Sequence, residues 1–205
     1  MTLGLAHAGL TLAAALLIAA LPAQAQSERS AGELMDAVMW NKEPIGGPFA
    51  LTDHTGKLRT DADFRGKLML VYFGFTFCPD ICPTDLMAIG QAIDKLGPAG
   101  EEVQPLFISV DPERDTAAHL AEYLAFFHPR LIGLTGDAAH IRDAARSYRV
   151  YYAKVVIGGT ADYTIDHSGF IYLMDRDGKY VGFFPPGTLA DRMAAVIKPR
   201  LAAGH

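Results

Sequence analysis

Lys67-Leu68-Met69-Leu70-Val71-Tyr72-Phe73-Gly74-Phe75-Thr76-Phe77-Cys78-Pro79-Asp80-Ile81-Cys82-Pro83 carries the chain from a continuous apolar and aromatic run into a helical pattern. A run of that kind, without alternation, is the mark of a strand covered on both faces, here expected over Lys67 to Phe77. From Pro83 the period changes. Leu86, Ile89, Ile93 and Leu96 share one face of a helix that Gly97-Pro98 ends. Proline suits the first helical position, so the helix is expected to begin at Pro83.

Working outward, Phe49 to Thr60 reads as a hairpin turning at His54-Thr55-Gly56-Lys57. Val103 to Val110 is a second strand, and Asp115 or Thr116 caps a helix running to Phe127 ahead of Pro129. Leu131 to Leu134 is a strand, and Thr135 or Asp137 opens a helix to about Tyr148. Tyr151 to Ile157 and Tyr163 to Ile165 pair across Gly158-Gly159, and Phe170 to Met174 pairs with Lys179 to Phe184 across Arg176-Asp177-Gly178. Thr188 to Asp191 resembles a capping box opening the last helix. Strands alternating with helices in this order predict an α/β sandwich with parallel strands at its centre, without repeats or a second domain.

The chain has 205 residues, half of them hydrophobic, enough for one well-filled core. Residues 1–25 are expected to stand outside it. Leu10 to Leu21 is an Ala/Leu stretch, and Ala23-Gln24-Ala25 offers a cleavage site before Gln26, which predicts a signal peptide and a periplasmic location. The n-region lacks Lys and Arg, so an uncleaved inner-membrane anchor is the alternative. Residues 26–48 read as a lead-in, with a short helix or flexible segment up to Asn41, and 49–203 as the folded domain. A net charge of −5 with no basic patch argues against nucleic acid as a partner.

The chain has two cysteines, Cys78 and Cys82, at the strand-to-helix corner. A helix N-terminus favours thiolate, which is both the nucleophile and the metal-binding form. Three open readings follow: a structural bridge, a redox dithiol, or a metal site. A bridge would close a ring of only five residues, which chain entropy rates at about 2 kcal/mol. Residues four apart on a helix have β-carbons about 5–6 Å apart, whereas a disulfide needs about 3.5–4.5 Å. Sulfurs held slightly apart suit an inserted metal as well as a reversible disulfide, and soft thiolates select Cu(I), zinc or iron–sulfur centres.

Two sulfurs leave a metal under-coordinated, so a histidine is sought. His119 and His140 fall within helices, His128 ends one, His54 sits in a turn and His205 is terminal. His167 differs: it lies in Asp166-His167-Ser168, just before the strand Phe170 to Met174, where the order of elements faces it to the cysteine corner. A hydrogen-bonded turn histidine is the competing reading. Asp166 is a candidate to orient the ring, and Asp80 to tune the thiols or a docking contact. Asp111, Glu113, Arg114 and Asp115 occupy a loop after a strand, with capping as the simplest reading of Asp115 and Thr116.

Three separated stretches, Asp63 through Asp85 with its two cysteines, Ser109 to Thr116, and Asp166-His167-Ser168, together resemble the SCO/SenC family of copper-binding proteins. The resemblance runs from about Ile45 to Val196. It implies a thioredoxin-like fold with additional β-hairpins and a copper site, in the Cu(I) or Cu(II) state, made by Cys78, Cys82 and His167. It also implies copper delivery to the CuA centre of cytochrome c oxidase subunit II, with a periplasmic copper donor and a thiol reductant as further partners. Alternatives are a thiol-disulfide oxidoreductase in which Cys78 and Cys82 are catalytic, and a copper or redox sensor. Zinc is a competing occupant of a Cys2His set.

Overall fold

The structure is a computed structural model that describes residues 45–158 and 162–202. The expected leader, nearly all of the lead-in, Gly159 and His205 lie outside those residues. A seven-stranded sheet has the order β2-β1-β5-β4-β3-β8-β9. Its strands are β1 (Ala50–Asp53), β2 (Leu58–Thr60), β3 (Leu68–Gly74), β4 (Val103–Ser109), β5 (Ile132–Thr135), β8 (Ile171–Met174) and β9 (Tyr180–Phe184). The strands β5, β4 and β3 run parallel, while β1 joins β5, and β8 joins β3, antiparallel. A second sheet holds only β6 (Tyr152–Val156) and β7 (Tyr163–His167). The helices are α1 (Ile81–Lys95), α2 (Ala117–Leu124), α3 (Ala138–Ser147) and α4 (Ala190–Ala202). This is the thioredoxin-like arrangement expected, with hairpins added to it.

All seven residues of β3 are buried, as a strand with two covered faces requires. Successive side chains on a strand point to opposite faces. Tyr72 meets Phe107, which meets Tyr123 of α2; Phe73 meets Tyr148 at the end of α3. The two faces of β3 are therefore covered by different helices. The helix α1 packs along α4.

Several boundaries differ from expectation, among them the helix expected to reach Phe127, which ends at Leu124. The strand β3 stops at Gly74 rather than Phe77, because the Thr76 N–H turns away to the Asp115 carboxylate at 3.1 Å. The helix α1 begins at Ile81, not Pro83. The first four N–H groups of a helix lack intrahelical partners, so proline fits anywhere in that turn. Cys82 consequently lies inside the first turn of α1, with Cys78 in the loop before it. At the C-terminal helix Thr188 does not cap; its hydroxyl donates to the Pro185 carbonyl at 2.6 Å. Elsewhere Thr116 and Asp137 are the caps, accepting from the N–H groups of His119 and His140.

Candidate metal centre

The cysteine corner is built by three local facts. The Cys78 N–H closes a turn onto the Phe75 carbonyl at 3.3 Å. Asp80 is the N-cap residue of α1, and its carbonyl accepts from the Thr84 hydroxyl at 2.9 Å. Gly74 makes room behind the corner: a β-carbon there would lie 3.0 Å from the Cys82 sulfur and 2.9 Å from the Phe107 ring. Only a residue without a side chain lets the sheet approach that sulfur so closely. Cys82 is fully buried, Cys78 half-buried, and both are free thiols.

His167 arrives from a different sheet. It is the last residue of β7, paired with Tyr152, rather than a loop residue. Its Nε2 lies 3.5 Å from the Cys82 sulfur across 85 positions of chain. Metal bonds of about 2.3 Å to sulfur and 2.0 Å to nitrogen, opened by a tetrahedral angle, place the two donors about 3.5 Å apart. The ring stands edge-on to Phe75 and Tyr72, with centroids at 5.8 and 6.4 Å. Its Nδ1 faces the Ser168 carbonyl at 3.3 Å, while the Asp166 side chain is exposed. The backbone, not Asp166, is the partner that orients the ring.

The two sulfurs share their protons unequally. The Cys82 thiol donates to Cys78, and His167 with the backbone N–H groups of Asp80 and Cys82 adds to this, so the Cys78 thiol is driven far into the acid range. Cys82 shifts the other way, because it faces the Cys78 thiolate and is buried. The pair therefore titrates as a unit and favours sharing one proton, with Cys78 lowered and Cys82 raised. Around them the Tyr72 hydroxyl is buried facing Cys82 and Asp85, and burial raises its pKa far out of reach. Burial also raises the Asp85 carboxyl, whose Oδ1 accepts from the Gly187 N–H at 2.8 Å.

Soft donors, a low-polarity wall and an imidazole at ligating distance fit copper held by Cys78, Cys82 and His167. Among the described residues, no three His, Cys, Asp or Glu side chains already form a finished cage. The other described histidines are engaged elsewhere. His54 Nδ1 accepts from the Gly133 N–H at 3.1 Å, His128 lies 3.4 Å from Asp94, and His140 pairs with Asp137 at 2.8 Å.

Sequence reasoning misread Asp115 and did not foresee the contacts of His119. Asp115 is not a cap but a fully buried carboxylate that accepts from the hydroxyls of Ser109 and Thr76, each at 2.6 Å. His119 is not a plain surface residue: its Nε2 lies 2.9 Å from the Thr76 hydroxyl and its ring stacks on Phe77. Nothing local announces these contacts. The one available signal was the crowding of charge in Asp111-Pro112-Glu113-Arg114-Asp115 directly after a strand.

The chain is similar to known proteins over most of its length. The model of the SCO1/SenC family matches residues 38–202. A SCO2 homolog of mitochondria from Bos taurus is 47% identical over 159 residues, covering 77% of this chain and 60% of that protein. A SCO2-like protein from Rickettsia prowazekii is 45% identical over 145 residues, covering 70% of this chain and 71% of that one. Copper-bound ScoI of Bradyrhizobium japonicum superposes with a TM-score of 0.71 at 48% identity, covering 76% of this chain and 99% of that chain. The chain spans about 60% of the length of the bovine relative.

Proposed function

The chain belongs to the SCO1/SenC family, and from that premise we propose that it is a copper metallochaperone holding one copper through Cys78, Cys82 and His167. The observation that carries this is the 3.5 Å approach of His167 Nε2 to the Cys82 sulfur, with Cys78 in the loop just before the helix that carries Cys82. Copper is cargo here. Two thiolates and one imidazole satisfy Cu(I) at low coordination number and leave one side open for ligand exchange with an acceptor. Cys78, half-buried, sits on that open side. The acceptor proposed is the CuA site of cytochrome c oxidase subunit II, supplied through a separate copper donor.

We place this work on the exported side of the membrane, in the periplasm. The supports are the apolar Leu10–Leu21 stretch with Ala23-Gln24-Ala25 after it, and the similarity to a bacterial relative. The folded domain proposed is 49–203, behind a leader of residues 1–25. Such a compartment oxidises exposed dithiols, so a thiol reductant is the further partner that keeps Cys78 and Cys82 ready for Cu(I).

Anaerobic titration of the reduced protein with Cu(I) tests the assignment. One copper per chain is expected, with stoichiometric binding lost in Cys78→Ser and Cys82→Ser and affinity reduced in His167→Ala. Wild-type affinity in His167→Ala removes the histidine from the site.

The unequal sulfurs also favour a second reading. The Cys78 thiolate can attack a partner disulfide, releasing one partner thiolate and leaving a mixed disulfide. Cys82, losing its proton, then attacks Cys78, so the Cys78–Cys82 disulfide forms as the partner takes both electrons as a dithiol. Reduction of an oxidised subunit II fragment that survives His167→Ala while copper binding fails would identify this as an activity of its own.

A further inference from the structure

His167 and the cysteine corner have no ladder hydrogen bond between them. The hairpin β6–β7 forms its own sheet, and of its ten strand residues only Ile165 is buried. A two-stranded hairpin alone is marginal in water. Something must hold the hairpin against the corner, and its contacts at Lys154 and at Tyr163, the end of β7 away from His167, point to the turn Asp111–Asp115 that follows β4.

That turn grips both sides. Toward the corner, the Asp115 carboxylate accepts from the Thr76 hydroxyl at 2.6 Å and the Thr76 N–H at 3.1 Å. Toward the hairpin, Asp111 accepts from the Tyr163 hydroxyl at 2.8 Å. Arg114 joins the two. Its guanidinium lies 4.5 Å from the centre of the Phe77 ring, next to Cys78, and 3.8 Å from the centre of the Tyr163 ring, the first residue of β7. It also donates through Nη1 to the Tyr163 carbonyl at 3.0 Å and through Nε to the buried Asp111 carboxylate. Lys154 of β6 adds an ion pair to Glu113 at 2.6 Å. The turn itself is closed by the Asp115 N–H on the Asp111 carbonyl at 2.9 Å.

We propose that Arg114 is a positioning residue of the copper site, clamping the Cys78 loop and the His167 hairpin to one turn so that the metal-free chain already holds imidazole and sulfur at ligating separation. The inference rests on the reading of Cys78, Cys82 and His167 as copper ligands. A planar fork that stacks on two rings while bonding a carbonyl and a carboxylate is a task for arginine that lysine cannot perform. Groups that orient a metal-binding histidine commonly alter affinity by tenfold or more when changed. The Cys78 loop keeps its own hold on the turn through Thr76 and Asp115, whereas the hairpin depends on Arg114 and Tyr163. Loss of the clamp should remove what His167 contributes and leave the two sulfurs as they were.

The test is a double-mutant cycle on the reduced full-length protein, with Cu(I) affinity read by competition against a chromophoric Cu(I) chelator. Arg114→Lys keeps the charge beside Asp111; Tyr163→Phe keeps the ring and removes the hydroxyl as a second, milder release. Arg114→Lys is expected to weaken Cu(I) binding about tenfold in the wild-type background and less than twofold in His167→Ala, with Tyr163→Phe intermediate. Amide exchange across β6 and β7 of the metal-free protein should quicken in both variants. Equal losses in both backgrounds, or no loss in wild type, would overturn the clamp. Failure of the ligand reading looks different: wild type and His167→Ala would then bind Cu(I) alike.

Discussion

The unequal pair of thiols sets how protons follow copper. Cys78 is lowered and Cys82 raised, so the coupled pair holds about one proton near neutral pH. Binding by both sulfurs therefore releases about one proton, and Cu(I) affinity should rise about tenfold per pH unit. Two ordinary thiols, with a pKa near about 8.5, would release about two and give twice that slope. Titration in weak buffer with a pH indicator distinguishes the cases, and a release of two protons would refute the inequality. Cys82 and Gly74 were both plain in the sequence, but their meaning was not alike. The cysteine announced its chemistry by type; the glycine acquires its role only because the Cys82 sulfur and the Phe107 ring converge on it from other elements.

At the scale of elements, the corner depends on the hold that Asp115 has on Thr76. Thr76→Val keeps the shape of the side chain and removes the hydroxyl that donates to Asp115. A buried carboxylate left short of a donor costs about 1–3 kcal/mol, so urea denaturation should show a loss of that size. Release of the loop should also speed alkylation of Cys82, buried in the native protein, by iodoacetamide. Unchanged stability together with unchanged alkylation would mean that Thr76 does not hold the corner. Helix α1 and strand β3 were legible from periodicity, because a change from a continuous apolar run to a 3.6-residue period is a local property. Their junction was not. Where β3 stops is decided by Asp115 on the β4–α2 turn, which no window around Cys78 contains.

For the whole molecule, buried carboxylates of opposite sign in their shifts shape stability against pH. Burial alone would raise Asp53, but hydrogen bonds from Thr55, Arg59 and the Lys57 N–H outweigh it, leaving its pKa well below the ordinary value. Its contribution is full above an unfolded pKa near about 3.9 and is lost as pH falls through the folded value. Asp85 and Asp115 are raised by burial, so the folded chain binds the extra proton there and stability falls as pH rises above about 3.9. A stability maximum in mildly acidic solution follows. Melting temperatures across pH should show that Asp53→Asn lowers the maximum, while Asp85→Asn flattens the decline on the neutral side. A decline of unchanged steepness in Asp85→Asn would remove that residue from the account. No helix among the described residues is long and apolar enough to cross a membrane.

Composition, periodicity and residue type by themselves determined the order of strands and helices and the strand-to-helix corner with its two cysteines, since each is written within a few neighbouring positions; His167 was singled out as a ligand only through the family resemblance. Only tertiary structure decided that His167 Nε2 stands 3.5 Å from sulfur, and that Arg114 lies between Phe77 and Tyr163. Such distances depend on how separate elements pack, and packing joins residues whose separation along the chain carries no periodic trace of their contact.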